Sequence, residues 1–226
     1  MSLQLPLGIA LRPRLDFGSF IPGRNEEAVA RLRQAQDPFI YLWGGPGCGK
    51  SHLLQAACRQ QGKLGDRCAF VPLLQIAELQ PAMLEGLEGL DLVCLDDLEQ
   101  LAGKDDWELK LFNLYNLLRE RQARLLVTAH MPPTQLPIRL PDLASRLTWG
   151  PCYQLNTLDD DGRLELLIRH AQQRGLKLSG DTASFLLQRI PRDIHYLIGI
   201  VDQLDQASLA EQRPLTIPFV RKVLGL

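Results

Sequence analysis

The amino-acid sequence predicts an α/β fold in which a parallel sheet is flanked by helices and is followed by a small C-terminal domain made only of helices. Three observations support this prediction. Strand-like apolar segments alternate with helix-length amphipathic stretches up to about residue 156, an order typical of parallel sheets covered on both faces. After that point the strand-like segments stop and helical patterns continue. A glycine-rich loop directly follows the first predicted strand, which indicates where the functional edge of the sheet lies.

The predicted elements divide the chain into three parts: an N-terminal segment of residues 1–15, an α/β domain of residues 16–156 and a helical domain of residues 157–226. Glycine and proline mark the breaks between helices in the last part, notably Gly175 and Pro191. The predicted strands are 39–43, 68–73, 91–96, 124–129 and 152–155, and the predicted C-terminal helices are 159–174, 179–190, 192–206 and 216–224.

The composition is that of a globular chain of 226 residues, 46% of them hydrophobic, which is enough to bury a substantial core. No apolar run approaches the roughly 20 residues that a membrane span needs, and no signal-peptide pattern opens the sequence, so we expect a cytoplasmic location without membrane contact. The five cysteines are odd in number and form no CxxC pair, which predicts neither a disulfide framework nor a zinc site.

The charge balance argues against a basic nucleic-acid binder, because 25 lysines and arginines stand against 26 aspartates and glutamates. Between Cys68 and Gly103 the sequence has no basic residue but seven acidic ones. A surface formed by this stretch would repel phosphates. We therefore expect no direct sequence-specific binding of DNA.

A complete phosphate-binding loop, GxxxxGK[ST], lies between the strand 39–43 and a predicted helix that runs from Ser51 to about residue 61. Small residues allow successive backbone N–H groups to surround phosphates, and the positive N-terminal end of the helix adds to the attraction. Lys50 is expected to reach the β- and γ-phosphates and Ser51 to ligate Mg²⁺, so the predicted cofactors are ADP or ATP with Mg²⁺. Cys48 is either a loop filler or a thiol with raised thiolate character. The residues assigned to this site are Gly44, Gly45, Pro46, Gly47, Cys48, Gly49, Lys50, Ser51 and His52.

Polar side chains follow two further predicted strands. The strand 91–96 delivers Asp96 and Asp97; Asp96 is expected to hold Mg²⁺ directly or through water, and Asp97 to act as a base or to position water. The strand 124–129 is followed by His130, which is either a phosphate sensor or an ordinary surface histidine. Arg146 and Arg192 are candidates for stabilising the charge on a transferring phosphoryl group, within the chain or on a neighbouring molecule.

Together these motifs resemble the AAA+ ATPases, and specifically the core of the bacterial replication initiator DnaA. The resemblance covers most of the chain and implies an AAA+ P-loop NTPase fold with a helical lid domain. Asp97 stands where many AAA+ enzymes have glutamate, although the initiator shares the Asp-Asp pattern, and His130 replaces the acidic sensor 1 residue of the initiator. By this resemblance Lys50 and Ser51 belong to the Walker A motif, and Asp96 and Asp97 belong to the Walker B motif. His130 is the sensor 1 residue, Arg146 is the arginine finger and Arg192 is the sensor 2 residue. Phe20, Ile21 and Asn25 are expected to pack against adenine.

Two features differ from the initiator. The sequence ends at Leu226, after the lid and without a helix-turn-helix module for duplex DNA, and the stretch 68–103 lacks the basic residues that bind single strands. Near the N-terminus, Gln4, Leu5 and Leu7 resemble the short peptide that docks into the sliding clamp, the beta subunit of bacterial DNA polymerase III. The alternative for this segment is an apolar tail tucked into the domain.

This combination resembles the Hda family, DnaA-homologous regulators of replication initiation. The resemblance implies a nucleotide-bound protein that, with the DNA-loaded sliding clamp, stimulates ATP hydrolysis by DnaA and so prevents re-initiation. Arg146 would act on the initiator's ATP, and intrinsic ATPase activity would be weak. Homo-oligomers are also expected, because AAA+ arginine fingers usually act between subunits. Two alternatives stay open: an ATPase that loads a helicase or remodels replication proteins, as DnaC does, and an adaptor in which nucleotide only stiffens the lid.

Overall fold

Five parallel strands form one sheet in the computed structural model, which describes residues 15–226. In chain order the strands are Phe39–Trp43 (β1), Cys68–Pro72 (β2), Leu92–Asp96 (β3), Arg124–Ala129 (β4) and Cys152–Gln154 (β5). Their order across the sheet is β2-β3-β4-β1-β5, and each neighbouring pair is parallel. The predicted parallel α/β fold is confirmed.

The three central strands are apolar along nearly their whole length because both faces of the sheet are covered. All six residues of β4 and all five of β3 are buried. The edge strands β2 and β5 are more exposed and shorter than the segments predicted for them. Leu73, predicted as a strand residue, instead begins a 3₁₀ helix that runs to Glu78.

Different helices cover the two faces of the sheet. Alternate residues of β1 point to opposite faces: Ile40 and Leu42 share a core with the helix after the phosphate-binding loop, whereas Phe39 and Tyr41 share a core with the helix before β4. The loop helix begins one residue earlier and ends two residues later than predicted. The helices of this unit are Glu26–Gln34 (α1), Lys50–Lys63 (α2), Asp105–Glu120 (α3) and Pro141–Arg146 (α4).

The residues Thr157–Leu226 form a second compact unit with its own apolar core. Side chains of Asp159, Ser179 and Asp193 accept backbone N–H groups at three helix starts, which sets those boundaries. The third helix, predicted to stop at residue 206, continues to Glu211. In the described part of the chain, no helix is long and apolar enough to cross a bilayer. The helices of this unit are Asp160–Gln173 (α5), Gly180–Leu187 (α6), Ile194–Glu211 (α7) and Ile217–Leu224 (α8).

Candidate nucleotide-binding site

The glycine-rich loop joins β1 to α2 at the carboxyl edge of the sheet, and its shape depends on residues without a Cβ. A Cβ on Gly44 would lie 2.5 Å from the carbonyl oxygen of Leu155 and 2.9 Å from the sulfur of Cys48. Gly49 has φ +93°, and a Cβ there would lie 2.5 Å from the ring of Phe20. Both positions therefore require glycine, one because of close backbone approach and one because of its left-handed conformation as well.

Lys50 is the first residue of α2, and its ammonium group folds back onto the loop. Its Nζ donates to the carbonyl oxygen of Gly44 at 2.7 Å and of Gly45 at 3.3 Å, and only 6% of the residue is exposed. Neutral carbonyl groups compensate a buried positive charge only partly. The site therefore favours an anion at the loop, where the first backbone N–H groups of α2 also have no intrahelical partner.

Asp96, the last residue of β3, is buried beside the start of α2. Burial raises the pKa of this carboxyl group, while hydrogen bonds from the hydroxyls of Ser51 and Thr128 and the charge of Lys50 act in the opposite direction. Hydroxyl and carboxylate oxygens are the donors that Mg²⁺ prefers, and a divalent cation would stabilise a carboxylate that burial destabilises. The donor set of Ser51 and Asp96 therefore fits Mg²⁺.

Asp97 adopts a left-handed backbone conformation, with φ +62° and ψ +55°, immediately after the strand. Burial, and the negative charge of Glu99, raise the pKa of its carboxyl group. The ring nitrogen Nε2 of His130 lies 3.7 Å from Asp97 Oδ1 and 3.5 Å from Glu99 Oε1, and the His130 backbone N–H donates to Glu99 Oε2. His130 thus lies beside the acidic pair with its side chain half exposed. The sequence patterns did not single out Glu99.

The segment expected to contact adenine packs on α2 and on the residues that follow β5. Phe20 and Ile21 are buried, and the Phe20 ring meets the His52 ring edge-on at 5.1 Å between centroids. The Asn25 side chain hydrogen-bonds to the backbone of Asn156: its Nδ2 donates to the carbonyl oxygen at 2.9 Å, and its Oδ1 accepts a hydrogen bond from the N–H at 2.7 Å. Direct contact of these residues with a nucleotide stays a prediction.

His52 ties the same segment to α2. Its Nε2 lies 2.9 Å from the carbonyl oxygen of Asp16 and 3.2 Å from Ser19 Oγ. Burial lowers the pKa of His52, so the ring is neutral at pH 7. Burial also raises the pKa of Cys48, which opposes the interpretation of that residue as a reactive thiolate and favours its role as a loop filler.

Arg146, the last residue of α4, lies at the other edge of the sheet. Its guanidinium carbon is 4.4 Å from the ring centre of Trp149 and 5.8 Å from that of Tyr115, whose ring contacts Phe39 at the start of β1. The phosphate-binding loop follows the opposite end of β1, and a strand of this length spans roughly 13 Å. The structure therefore brings Arg146 together with an aromatic cluster and not with the loop of its own chain.

A cavity of about 240 Å³ opens beside Trp149. Its walls include Phe39, Tyr115 and Leu125, and the guanidinium carbon of Arg119 at its rim lies 5.0 Å from the Trp149 ring centre. Trp149 itself is 55% exposed. Exposed tryptophan and arginine around an apolar cavity are typical of the energetically dominant part of a protein interface.

The remaining predicted site residues belong to the second unit or fall outside the described residues. Arg192 belongs to the second unit, where it is exposed and its NH2 group lies 3.3 Å from Asp160. Gln4, Leu5 and Leu7, predicted to bind the sliding clamp, lie outside the described residues. The roles assigned to these four residues stay predictions.

Comparisons with known proteins agree with this architecture. The family model of the bacterial DnaA ATPase domain matches residues 11–154, and the model described as Hda, lid domain, matches residues 160–224. Domain III of the Thermotoga maritima replication initiation protein DnaA is 18% identical, with a TM-score of 0.79 over 96% of this chain and 98% of that chain.

Two further solved structures show the same fold. AMPPCP-bound DnaA from Aquifex aeolicus is 23% identical, with a TM-score of 0.72 over 89% of this chain and 68% of its own. The RuvB Holliday junction branch migration motor of Thermotoga maritima is 16% identical, with a TM-score of 0.71 over 95% of this chain and 72% of its own. The chain therefore belongs to the family of the bacterial DnaA ATPase domain and, with its Hda-type lid, is an Hda-like, DnaA-homologous AAA+ protein.

Proposed function

We propose that this protein is a nucleotide-bound regulator that, together with the DNA-loaded sliding clamp, stimulates ATP hydrolysis by the replication initiator DnaA and so prevents re-initiation of replication. The observation that carries the proposal is the position of Arg146. This residue stands at the edge of the sheet opposite the phosphate-binding loop and is stacked on an exposed tryptophan. Such a guanidinium is available to the nucleotide of a second molecule rather than to that of its own chain.

The nucleotide of this chain, ADP or ATP, is held by the loop between β1 and α2. Lys50 supplies the positive charge at the β- and γ-phosphates, and Ser51 and Asp96 hold Mg²⁺, which neutralises phosphate charge when bound. The proposal is supported by the glycine-dependent shape of the loop and by the AMPPCP-bound DnaA of similar fold. Phe20 and Ile21 form the apolar side of the adenine site, and Arg192 of the lid is the expected sensor of the phosphates.

Intrinsic hydrolysis is proposed to be weak. Asp97 is shorter by one methylene than the glutamate of many AAA+ enzymes, and burial together with Glu99 disfavours its charged, basic form. His130 engages the same two carboxylates at 3.5–3.7 Å instead of standing free to sense a γ-phosphate. The bound nucleotide therefore has a structural or regulatory role in this proposal.

In the initiator complex, Arg146 stabilises the negative charge that develops on the γ-phosphate of the partner's ATP. Stacking on Trp149 limits the orientations of the guanidinium before the partner arrives, and a preorganised charge stabilises a transition state better than a mobile one. The cavity beside Trp149 gives the initiator an apolar anchoring point next to this residue. Gln4, Leu5 and Leu7 are proposed to dock on the clamp, which would concentrate the protein at replicated DNA.

The proposal is tested by measuring ATP hydrolysis by the cognate initiator with this protein and with DNA-loaded clamp, added separately and together. We expect stimulation only when both are present. Arginine fingers contribute roughly three to five orders of magnitude to phosphoryl transfer, so Arg146→Ala should abolish the stimulation. Gln4→Ala should also abolish the stimulation, because this variant should bind DNA-loaded clamp more weakly, and the two losses should occur in parallel.

Arg189→Ala is a matched control, because Arg189 is an arginine of the second unit that also stacks on an aromatic ring, at 4.0 Å from the centre of Phe185. This variant should stimulate like the wild type. An Arg146→Ala protein with full activity would reject the arginine-finger role and leave an adaptor. The absence of stimulation, together with rapid ATP turnover by this protein alone that is lost in Lys50→Ala, would instead indicate a helicase loader of the DnaC type.

A further inference from the structure

The two carboxylates at the end of β3 are connected by a residue of the neighbouring strand. Thr128 is the fifth residue of β4, pairs with Leu42 of β1, and is fully buried. It lies next to the end of β3, since Leu95 pairs with Val127. Valine has the same shape and would fill the same space, but it lacks the hydroxyl group of threonine.

The hydroxyl group of Thr128 both accepts and donates a hydrogen bond. The backbone N–H of Asp97 donates to Thr128 Oγ1 at 3.0 Å, and Thr128 Oγ1 donates to Asp96 Oδ1 at 2.5 Å. The second distance is at the short end of the range for a hydroxyl donating to a carboxylate. One hydroxyl therefore orients the side chain of Asp96 and holds the backbone of Asp97.

The two hydrogen bonds of Thr128 hold Asp96 and Asp97 in conformations that β3 alone would not maintain. Asp97 has positive φ, which is unfavourable for a residue with a side chain and persists where surrounding contacts hold it. Asp96 is buried, and its carboxylate is held by hydrogen bonds from the hydroxyls of Thr128 and Ser51.

We propose that Thr128 is a positioning residue of the nucleotide site, which sets the orientation of Asp96 toward Mg²⁺ and the backbone of Asp97 through one bridging hydroxyl. This inference rests on the nucleotide-binding part of the proposed function and deepens it. Outer-shell partners of metal ligands typically contribute roughly 10- to 100-fold to metal affinity. The expected effect of removing the hydroxyl is therefore on Mg²⁺-dependent binding, whereas the phosphate contacts of the loop are retained.

The experiment measures the affinity of the full chain for N-methylanthraniloyl-ADP by fluorescence, once with Mg²⁺ and once with EDTA. For Thr128→Val, the gain in affinity that Mg²⁺ gives should fall about tenfold or more, while the affinity in EDTA should stay within about twofold of the wild type. Thr128→Ser retains the hydroxyl and should recover most of the gain. If Thr128→Val does not fold, Thr128→Cys, whose thiol is a weak donor of similar size, should change the gain in the same direction.

Thr182→Val is the matched control. Thr182 is also a buried threonine with a bonded hydroxyl, at 2.9 Å from Ser179 Oγ, but it belongs to the second unit. Removal of the Thr182 hydroxyl should leave the gain in nucleotide affinity that Mg²⁺ gives unchanged. A Thr128→Val protein with the wild-type Mg²⁺ gain would overturn this inference alone. A wild-type chain that binds no nucleotide would reject the nucleotide-binding proposal and this inference with it.

Discussion

Gly49→Ala is expected to destabilise the α/β unit because the new methyl group would meet the ring of Phe20. A Cβ at this position would lie 2.5 Å from Phe20 Cε2, well inside the closest approach of real carbon atoms, and φ here is +93°. Phe20 is 7% exposed and also packs on His52, so its ring cannot leave without losing buried contacts. Two separate costs therefore add: strain in the backbone and displacement of the ring.

The two costs have different sizes and can be separated. A left-handed conformation costs a residue with a Cβ roughly 1–2 kcal/mol. Overpacking that forces a buried side chain to move costs about 1–3 kcal/mol more. Phe20→Leu removes the ring atoms that clash, so in this background Gly49→Ala should cost only the backbone term, about 1–2 kcal/mol. The difference between the two backgrounds is the coupling between the residues.

Urea unfolding followed by tryptophan fluorescence measures these values, because all three tryptophans, Trp43, Trp107 and Trp149, lie in the first unit. Gly45→Ala serves as the control, since a Cβ there meets nothing within 4 Å, and it should change the free energy of unfolding by less than about 1 kcal/mol. Equal costs of Gly49→Ala in both backgrounds, within about 0.5 kcal/mol, would refute the proposed contact with Phe20.

Two further predictions concern buried charge. Burial lowers the pKa of His52 below its usual value near 6.5, so the unfolded chain takes up the proton first and stability should fall as the pH drops below that value. His52→Gln should remove this component of the dependence of unfolding free energy on pH; an unchanged slope would contradict the assignment. Among the described residues, the terminal nitrogens of the buried Arg124 have no hydrogen-bond partner, and only its Nε donates, to the Asp37 carbonyl. Arg124→Met should therefore be neutral or stabilising by about 1 kcal/mol in urea unfolding, and a loss above about 1 kcal/mol would show that the guanidinium has a compensating partner.

The elements that are predicted well from the sequence are those whose signal lies within a few consecutive residues. The apolar runs of β1, β3 and β4 identify buried parallel strands because covered sheets need apolar side chains on both faces. Boundaries are less accurate where a single side chain decides them. Asp193 caps the helix that the sequence pattern starts at residue 192, and no apolar pattern reveals such a cap.

In the candidate site, too, only the features with a local sequence signal can be predicted. The loop motif and the acids at the end of β3 can be recognised from the sequence because each is contiguous and follows a strand. The contacts of Glu99 with His130 and of Thr128 with Asp96 are not recognisable in this way, since the partners come from a different strand or loop. The strand order, with β4 between β3 and β1, brings Thr128 to Asp96, and sequence separation gives no measure of that distance.

By itself, the sequence determined the fold class, the phosphate-binding loop and the helical character of the last seventy residues, because backbone periodicity and short motifs are local properties. Only the tertiary structure decided which predicted residues meet. It brings Phe20 against Gly49 and Thr128 between two carboxylates, and it separates Arg146 from the loop by the length of a strand. Contacts between distant segments depend on strand order and on the packing of side chains across the sheet, and neither is written in the spacing of residues along the chain.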